Sequence, residues 1–544
     1  MRKKFLISLK IVGILGIIVL LIGLFVDHRL EAKTMFSVPV GKDGIQYEKG
    51  ETEDTLTWGP PAFTVAPDGS FWIADTVGNR LLNYDANGNM QNKINLDDLD
   101  DPVVGFGDLE VTTSGVFVLD IAAVTPKVVH LSFSGTRLEN YEIPESFGLE
   151  NGLTGIAVGE NNEILIELEN GAQIYQLVDS QGKISIIHLE GYIRNGQQYT
   201  IHPSNLKYSD ATHGSIAVDN KIIETLVTHN LGSLQLININ EDNSFYIAVE
   251  EVGDDSIIQV DQTVRRYDAT GKLTGLARVP ISKNHTYIAH NVAVGPDKTV
   301  YVMTTGLNRV KIQRLRFFKS LRPILSPVPK DAEKSIESDK NGGKTSVVSY
   351  ITRSSVISNA NTYVNNRKYL NSTNINGTCA GRGQPGWLKG KKAGTYYSVA
   401  YDWGGMDSVS EYNSYMDSGK MAGDIDYNNP NPSNDGSVGV EICSRGVDCS
   451  GFVQRVWGIT GAKLGTWDLA SSSKVKAITF SELKSGDILN NAGIHVVLFS
   501  SSNSNGVYVY ESVVEYNCDR VVKRNTKWTR YTGIYKAYRY NSIE

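Results

Sequence analysis

Short apolar runs broken by polar turns fill residues 56–320, with almost no helical period among them. The clearest unit runs from Pro61 to Asp85. An apolar strand precedes the Asp68-Gly69 turn, a second strand ends in Ala74-Asp75, and a polar loop with Asn79-Arg80 leads into a third. The pattern returns at Leu109–Leu131 around the strand Val116–Asp120, and at Leu153–Leu177 around Glu163–Ile166. Weaker copies lie at His213–Leu236 and Ser244–Tyr267, and His290–Val310 closes the series. A period of about 40–50 residues without helices predicts an all-β propeller, because each blade hides one face and needs neighbours to bury the other. The spacing gives about six blades. Five or seven stay open because 185–235 is poorly punctuated.

Outside this region the pattern changes three times. Phe5–Val26 is apolar apart mainly from Ser8 and Lys10, and Arg2, Lys3 and Lys4 precede it. This predicts an N-terminal transmembrane helix over residues 5–26 that leaves the rest of the chain outside the cell; a cleaved signal sequence and secretion are the alternative. Residues 321–347 carry Pro323, Pro327 and Pro329, then a mixed-charge stretch with few apolar residues, and read as a linker that lets the last domain move relative to the ring. The chain thus divides into an anchor or signal at 1–30, a propeller at 50–320, the linker at 321–347 and an α+β unit at 348–544. Within that unit, helices are expected at 350–368 and 449–458, and strands at 494–500, 507–514 and 531–541. The polar stretch 406–442 reads as a long surface insertion.

Charge and cysteines narrow the choices. A formal net charge of −6 over 544 residues argues against a nucleic-acid partner, which needs a basic face. All four cysteines, Cys379, Cys443, Cys449 and Cys518, fall in the last unit, so a free Cys449 leaves room for at most one disulfide. No C-x2-C spacing is present, and His495 is the only histidine after residue 290; neither a metal nor an organic cofactor is expected. The seven histidines from His130 to His290 lack ligand spacing and read as structural or exposed.

Candidate chemistry concentrates at the end of the chain. Cys449 stands at the start of a helical stretch, where unpaired backbone N–H groups favour a thiolate, and Gly451 would admit a substrate backbone. His495 opens an apolar strand 46 residues later and is the unit's one candidate base. Glu511 on the following strand would orient its ring if the two strands pair through the loop around Asn503–Gly506, with Glu515 and Asn517 as alternatives. Tyr401, in Tyr401-Asp402-Trp403-Gly404-Gly405, offers a phenol for a developing oxyanion, and Trp403 either packs or walls the substrate. The plainer readings also stand: an inert buried cysteine, a satisfied core histidine and an exposed edge glutamate.

Two resemblances follow from these residues. Asp68-Gly69, Ala74-Asp75 and Asn79-Arg80, with Pro296-Asp297 and Asn308-Arg309, resemble the NHL repeat, which implies a ring-shaped scaffold able to hold a protein or glycan ligand. In that scaffold Asp75 and Arg80 are expected to brace a blade through hydrogen bonds, the alternative being contact with a ligand. Asp448-Cys449-Ser450-Gly451-Phe452-Val453, the Tyr401–Gly405 segment and Gly486-Asp487-Ile488 with His495-Val496 resemble the NlpC/P60 family of papain-like peptidases. That resemblance implies a papain-like core, with Cys449 as nucleophile, His495 as base, Tyr401 beside the oxyanion, and bacterial cell-wall stem peptides as substrate. Two departures stand out: the long gap between Tyr401 and Cys449, and Glu511, which looks more like the glutamate of CHAP amidases. The expected activity is cysteine-dependent amide hydrolysis. The alternatives are acyl transfer to an amine, and a non-catalytic binding or assembly protein with a degenerate hydrolase domain.

Overall fold

The computed structural model describes residues 31–50, 56–123, 125–149, 152–159, 161–202, 212–281, 284–325, 350–379, 381–426, 442–471 and 473–544. The expected anchor at 5–26 and most of the linker lie outside them. Among the described residues no helix is long and apolar enough to cross a membrane.

Among the described residues, six antiparallel four-stranded sheets follow one another between Ala32 and Leu315 and resemble propeller blades. The first comprises Phe63–Val65, Phe71–Asp75, Arg80–Tyr84 and Met90–Asn95, as the clearest sequence unit requires. Its first turn places Gly69 at φ +82°, a conformation that glycine adopts without a Cβ penalty. Arg80 Nε lies 2.7 Å from the buried Asp75 carboxylate, which also accepts the Gln46 N–H at 2.9 Å, so this pair braces a blade. Weak punctuation misplaced one boundary: the His213–Leu236 unit straddles two sheets. One ends with His213–Val218 and Lys221–Leu226, and the next begins at Asn230–Ile239.

The sixth sheet takes its outer strand from the start of the described chain. Ala32–Pro39 pairs antiparallel with Arg309–Leu315, Phe36 opposite Ile312 and Val38 opposite Val310. The ring therefore begins before residue 50. No local signal marks that strand, because its partner comes some 270 residues later.

The last unit contains helices α1 (Arg353–Val364), α2 (Ser372–Asn376), α3 (Val409–Asp417), α4 (Cys449–Val456) and α5 (Thr466–Ser471). Its sheet contains β1 (Val475–Ala477), β2 (Ile488–Asn491), β3 (His495–Asn503), β4 (Gly506–Val513), β5 (Arg520–Thr526) and β6 (Lys536–Tyr540), in the order β1-β6-β2-β3-β4-β5. Phe452, Val453 and Val456 of α4 share a core with Val356 and Ala360 of α1 and with Val496, Leu498 and Tyr510 of the sheet.

The stretch 406–442 is not a simple surface insertion. Ser408 and Glu411 form a capping box at the start of α3, whose Tyr412 and Met416 enter the same core. Met421–Ala422 pairs in parallel with Ser444–Arg445. The solvent-facing positions of α3 dominate its composition and hide the two apolar anchors; residues 427–441 lie outside the described set. Cys379 and Cys443 form a disulfide, and Cys449 and Cys518, both buried, lie outside it.

The opposite face of the sheet is buried against the ring. Val497, Phe499, Val507 and Val509, with Trp528, Tyr531 and Tyr535, pack on Tyr246, Val252, Ile258 and Val260 of the fifth blade. Backbone bonds reinforce the contact: Ile258 N–H to Tyr535 O at 2.9 Å, and Leu234 N–H to Ser504 O at 2.7 Å. Buried Glu250 of the ring accepts the N–H groups of Trp528 (2.8 Å) and Thr529 (3.0 Å). The linker suggested independent motion; the shared core instead docks the two units. Trp528→Ala should therefore cost about 3–5 kcal/mol, read as a lowered denaturant midpoint in the full chain. An unchanged midpoint would contradict the shared core.

Candidate active site

Cys449 is the first residue of α4, and the turn before it is built from close backbone contacts. Asp448 caps the helix by accepting the Gly451 N–H at 2.7 Å, and Lys463 Nζ stands 2.8 Å from the same carboxylate. A Cβ on Gly451 would lie 2.3 Å from Gly405 O, and one on Gly446 2.3 Å from Ala400 O. The glycine at 451 therefore admits the chain's own Tyr401–Gly405 segment rather than a substrate backbone. Asp448→Ala should remove the cap at a cost of about 1 kcal/mol, measured as a shift in denaturant midpoint.

His495 begins β3, and Glu511 lies on β4 across the hairpin that closes at Asn503 and Gly506. With Leu498 opposite Tyr510, Glu511 falls diagonal to His495, within reach of a long side chain. Their Nε2 and Oε2 atoms are 2.7 Å apart, and both residues are at most 1% exposed. Burial alone would raise the Glu511 carboxyl, but the Arg524 and Arg530 guanidiniums and the His495 bond outweigh it, holding the group far below the ordinary carboxylate range. Arg524 Nε stands 2.7 Å from Oε1 as an ion pair, without the alignment of a hydrogen bond, and Arg530 Nη2 is 3.7 Å away. An ionised Glu511 only accepts, so Nε2 carries the ring proton and Nδ1 is the basic nitrogen of the neutral ring.

By the two-residue alternation of strands, His495 and Glu511 share a side with Val497, Val507 and Val509, the side covered by the ring. Cys449 begins α4, which packs on β3 and β4 from the face of Val496, Leu498 and Tyr510, and Ser512 Oγ donates to Val447 O at 2.6 Å. The Tyr535 phenol is buried in the core shared with the ring. Burial pushes it well above the usual tyrosine range, and its electrostatic neighbours include Arg530, Tyr531, Glu511 and Cys449. Cys449 itself is fully buried.

Tyr401 is buried beside the segment leading into Cys449. Its N–H bonds Asp519 O at 3.0 Å, and the adjacent Ala400 O accepts the Val447 N–H at 3.2 Å. The alternatives to Glu511 are engaged elsewhere. Glu515 takes Arg530 through two bonds of 3.0 and 2.7 Å and Arg524 at 2.9 Å, and Asn517 Nδ2 donates to Val104 O of the ring at 2.5 Å. Sequence reasoning missed Arg524, Arg530 and Trp467. The first two lie on β5 and in the turn after it, where only strand pairing reveals their target. Trp467 is 62% exposed, and a Cβ on Gly493 would meet its ring at 2.6 Å. Its ring packs on Gly493, two residues before His495, and the glycine that accommodates it was the available signal. Among the described residues no cluster of three or more His, Cys, Asp or Glu side chains could hold a metal ion.

No protein-family model matches the chain, and no curated protein matches it. Among solved structures it is similar to virginiamycin B lyase from Staphylococcus aureus, at 16% identity, covering 50% of this chain and 99% of that one, with a TM-score of 0.28. A DUF4221 family member from Bacteroides vulgatus matches at 12% identity over 53% and 99% of the two chains, with a TM-score of 0.32. A protein described as a gluconolactonase matches at 12% identity over 54% and 97%, with a TM-score of 0.27. Identities and scores this low carry no argument about the chemistry of this chain.

Proposed function

We propose that residues 348–544 form a papain-like cysteine amide hydrolase of NlpC/P60 type, an endopeptidase acting on peptidoglycan stem peptides. The carrying observation is the buried 2.7 Å His495–Glu511 pair, on the two strands against which α4, beginning at the Cys449 thiol, packs. His495 Nδ1 takes the thiol proton as sulfur attacks the amide carbonyl. The amide bond then breaks, the imidazolium gives that proton to the departing amine, and water releases the acyl group from sulfur. The Cys449 N–H and the Tyr401 hydroxyl stabilise the oxyanion, and Trp467 walls the approach. The NHL-like ring holds a protein or glycan ligand and positions the hydrolase. The Cys379–Cys443 disulfide suits an oxidising compartment and supports placement outside the membrane, tethered through residues 5–26 or secreted after signal cleavage.

One observation favours a second reading, a binding or assembly protein: Cys449, His495 and Glu511 are all enclosed. The deciding experiment incubates the full chain with isolated peptidoglycan and follows new amino groups by mass spectrometry, with iodoacetamide labelling of Cys449 in parallel. Hydrolysis with labelling at Cys449 supports the enzyme. A folded chain that releases no amine and leaves Cys449 unlabelled supports the binding protein.

A further inference from the structure

A cavity of about 420 Å³ lies between the ring and the last domain and is lined by neither Cys449 nor His495. That volume is in the usual range for small-molecule sites, about 300–1,000 Å³. The ring contributes apolar walls, Leu119, Ile121, Leu149 and Leu153, and the domain contributes Val364 and Val521. Tyr397, 48% exposed, and Glu145, also exposed, stand on the lining where it meets solvent.

The polar lining is unevenly charged. Four cations, Arg520, Lys523, Arg524 and Arg530, face one carboxylate, Glu145. Arg524 and Arg530 are engaged by Glu511 and Glu515. Arg520 is not: among the described residues it forms no ion pair, and its guanidinium stacks 5.1 Å from the centre of the Trp387 ring. The neighbouring Asp519 carboxylate accepts the Gly386 N–H at 2.6 Å and acts on Arg520 only through space, without an ion-pair contact. Lys523 lies 5.8 Å from the Tyr510 ring and also forms no ion pair among the described residues. Burial lowers the Arg520 pKa, the direction a bound anion would reverse.

We infer that this cavity binds a small organic anion with an apolar body, its carboxylate or phosphate held by Arg520 and its body against Leu119, Ile121 and Leu153. Planar guanidinium suits either headgroup, because both accept paired N–H donors. The ligand would touch both units and so hold them together.

The test is calorimetric titration of the full chain with octanoate, phenyl phosphate and neutral octanamide. One anion, or both, should bind saturably at one site, and whichever binds identifies the headgroup. Octanamide should bind at least about 10-fold more weakly, Arg520→Gln should weaken the anion about 10-fold or more, and Ile121→Trp should abolish binding by filling the space. A bound anion should also raise the midpoint of thermal unfolding by mass action. The proposal is overturned if neither anion saturates, if octanamide binds the wild-type chain as tightly as octanoate, or if folded Arg520→Gln binds unchanged.

Discussion

Under the proposed function, replacing Cys449 by alanine should reduce wall-peptide hydrolysis by about 10,000-fold or more, the scale seen when a covalent nucleophile is deleted. Only sulfur can carry the acyl group in the proposed route, and the neighbouring Ser450 cannot substitute for it, since its hydroxyl donates to Asp448 at 3.2 Å. The substitution removes one buried atom from the start of α4, so the expected stability cost is small, about 1 kcal/mol. Circular dichroism and a denaturant midpoint then separate loss of chemistry from loss of fold. Cys518→Ala is the matched control. Cys518 is likewise buried and outside the disulfide, and burial raises its thiol pKa, so it stays protonated and its removal should leave turnover intact. Chromatography of released peptides decides the matter: residual turnover in Cys449→Ala near the wild-type rate ends the nucleophile assignment.

What could be read from the residues was what depends on near neighbours. Asp68-Gly69 and Ala74-Asp75 specify a hairpin whose partners lie within a dozen residues, and the first sheet follows. His495 and Glu511 were legible as a pair because one short hairpin joins their strands. Features that depend on distant pairing were hidden. Ala32–Pro39 gains its meaning only from Arg309–Leu315, and Arg530 only from Glu511 and Glu515. The docking was the deepest omission. The alternation in Val497, Phe499, Val507 and Val509 shows that a second face of the sheet is apolar, but not that Ile258 and Val260 of the ring cover it. A proline-rich linker says nothing about contacts made elsewhere along the chain.

Under the proposed function Glu511→Leu should combine a catalytic and a structural loss, and pH separates the two. Without the carboxylate, Nε2 of His495 has no partner to fix the tautomer, and hydrolysis should fall about 100- to 10,000-fold. Arg524 and Arg530 retain Glu515 but lose their second carboxylate in a buried setting, at a cost of about 3 kcal/mol. Glu511→Gln preserves shape and an acceptor oxygen, so it should keep more activity than Glu511→Leu while losing the charge. The folded-state pKa of Glu511 is depressed, so its stabilisation is fully present above the unfolded carboxylate value, about 4.3, and is lost as pH falls towards the folded value. The stability gap between wild type and Glu511→Leu should therefore be widest at pH 6–7 and narrow progressively below about pH 4. Denaturant titrations at pH 7, 5 and 3.5 measure it. A gap that stays constant across that series would mean that packing, rather than the ionised carboxylate, holds Arg524, Arg530 and His495 in register.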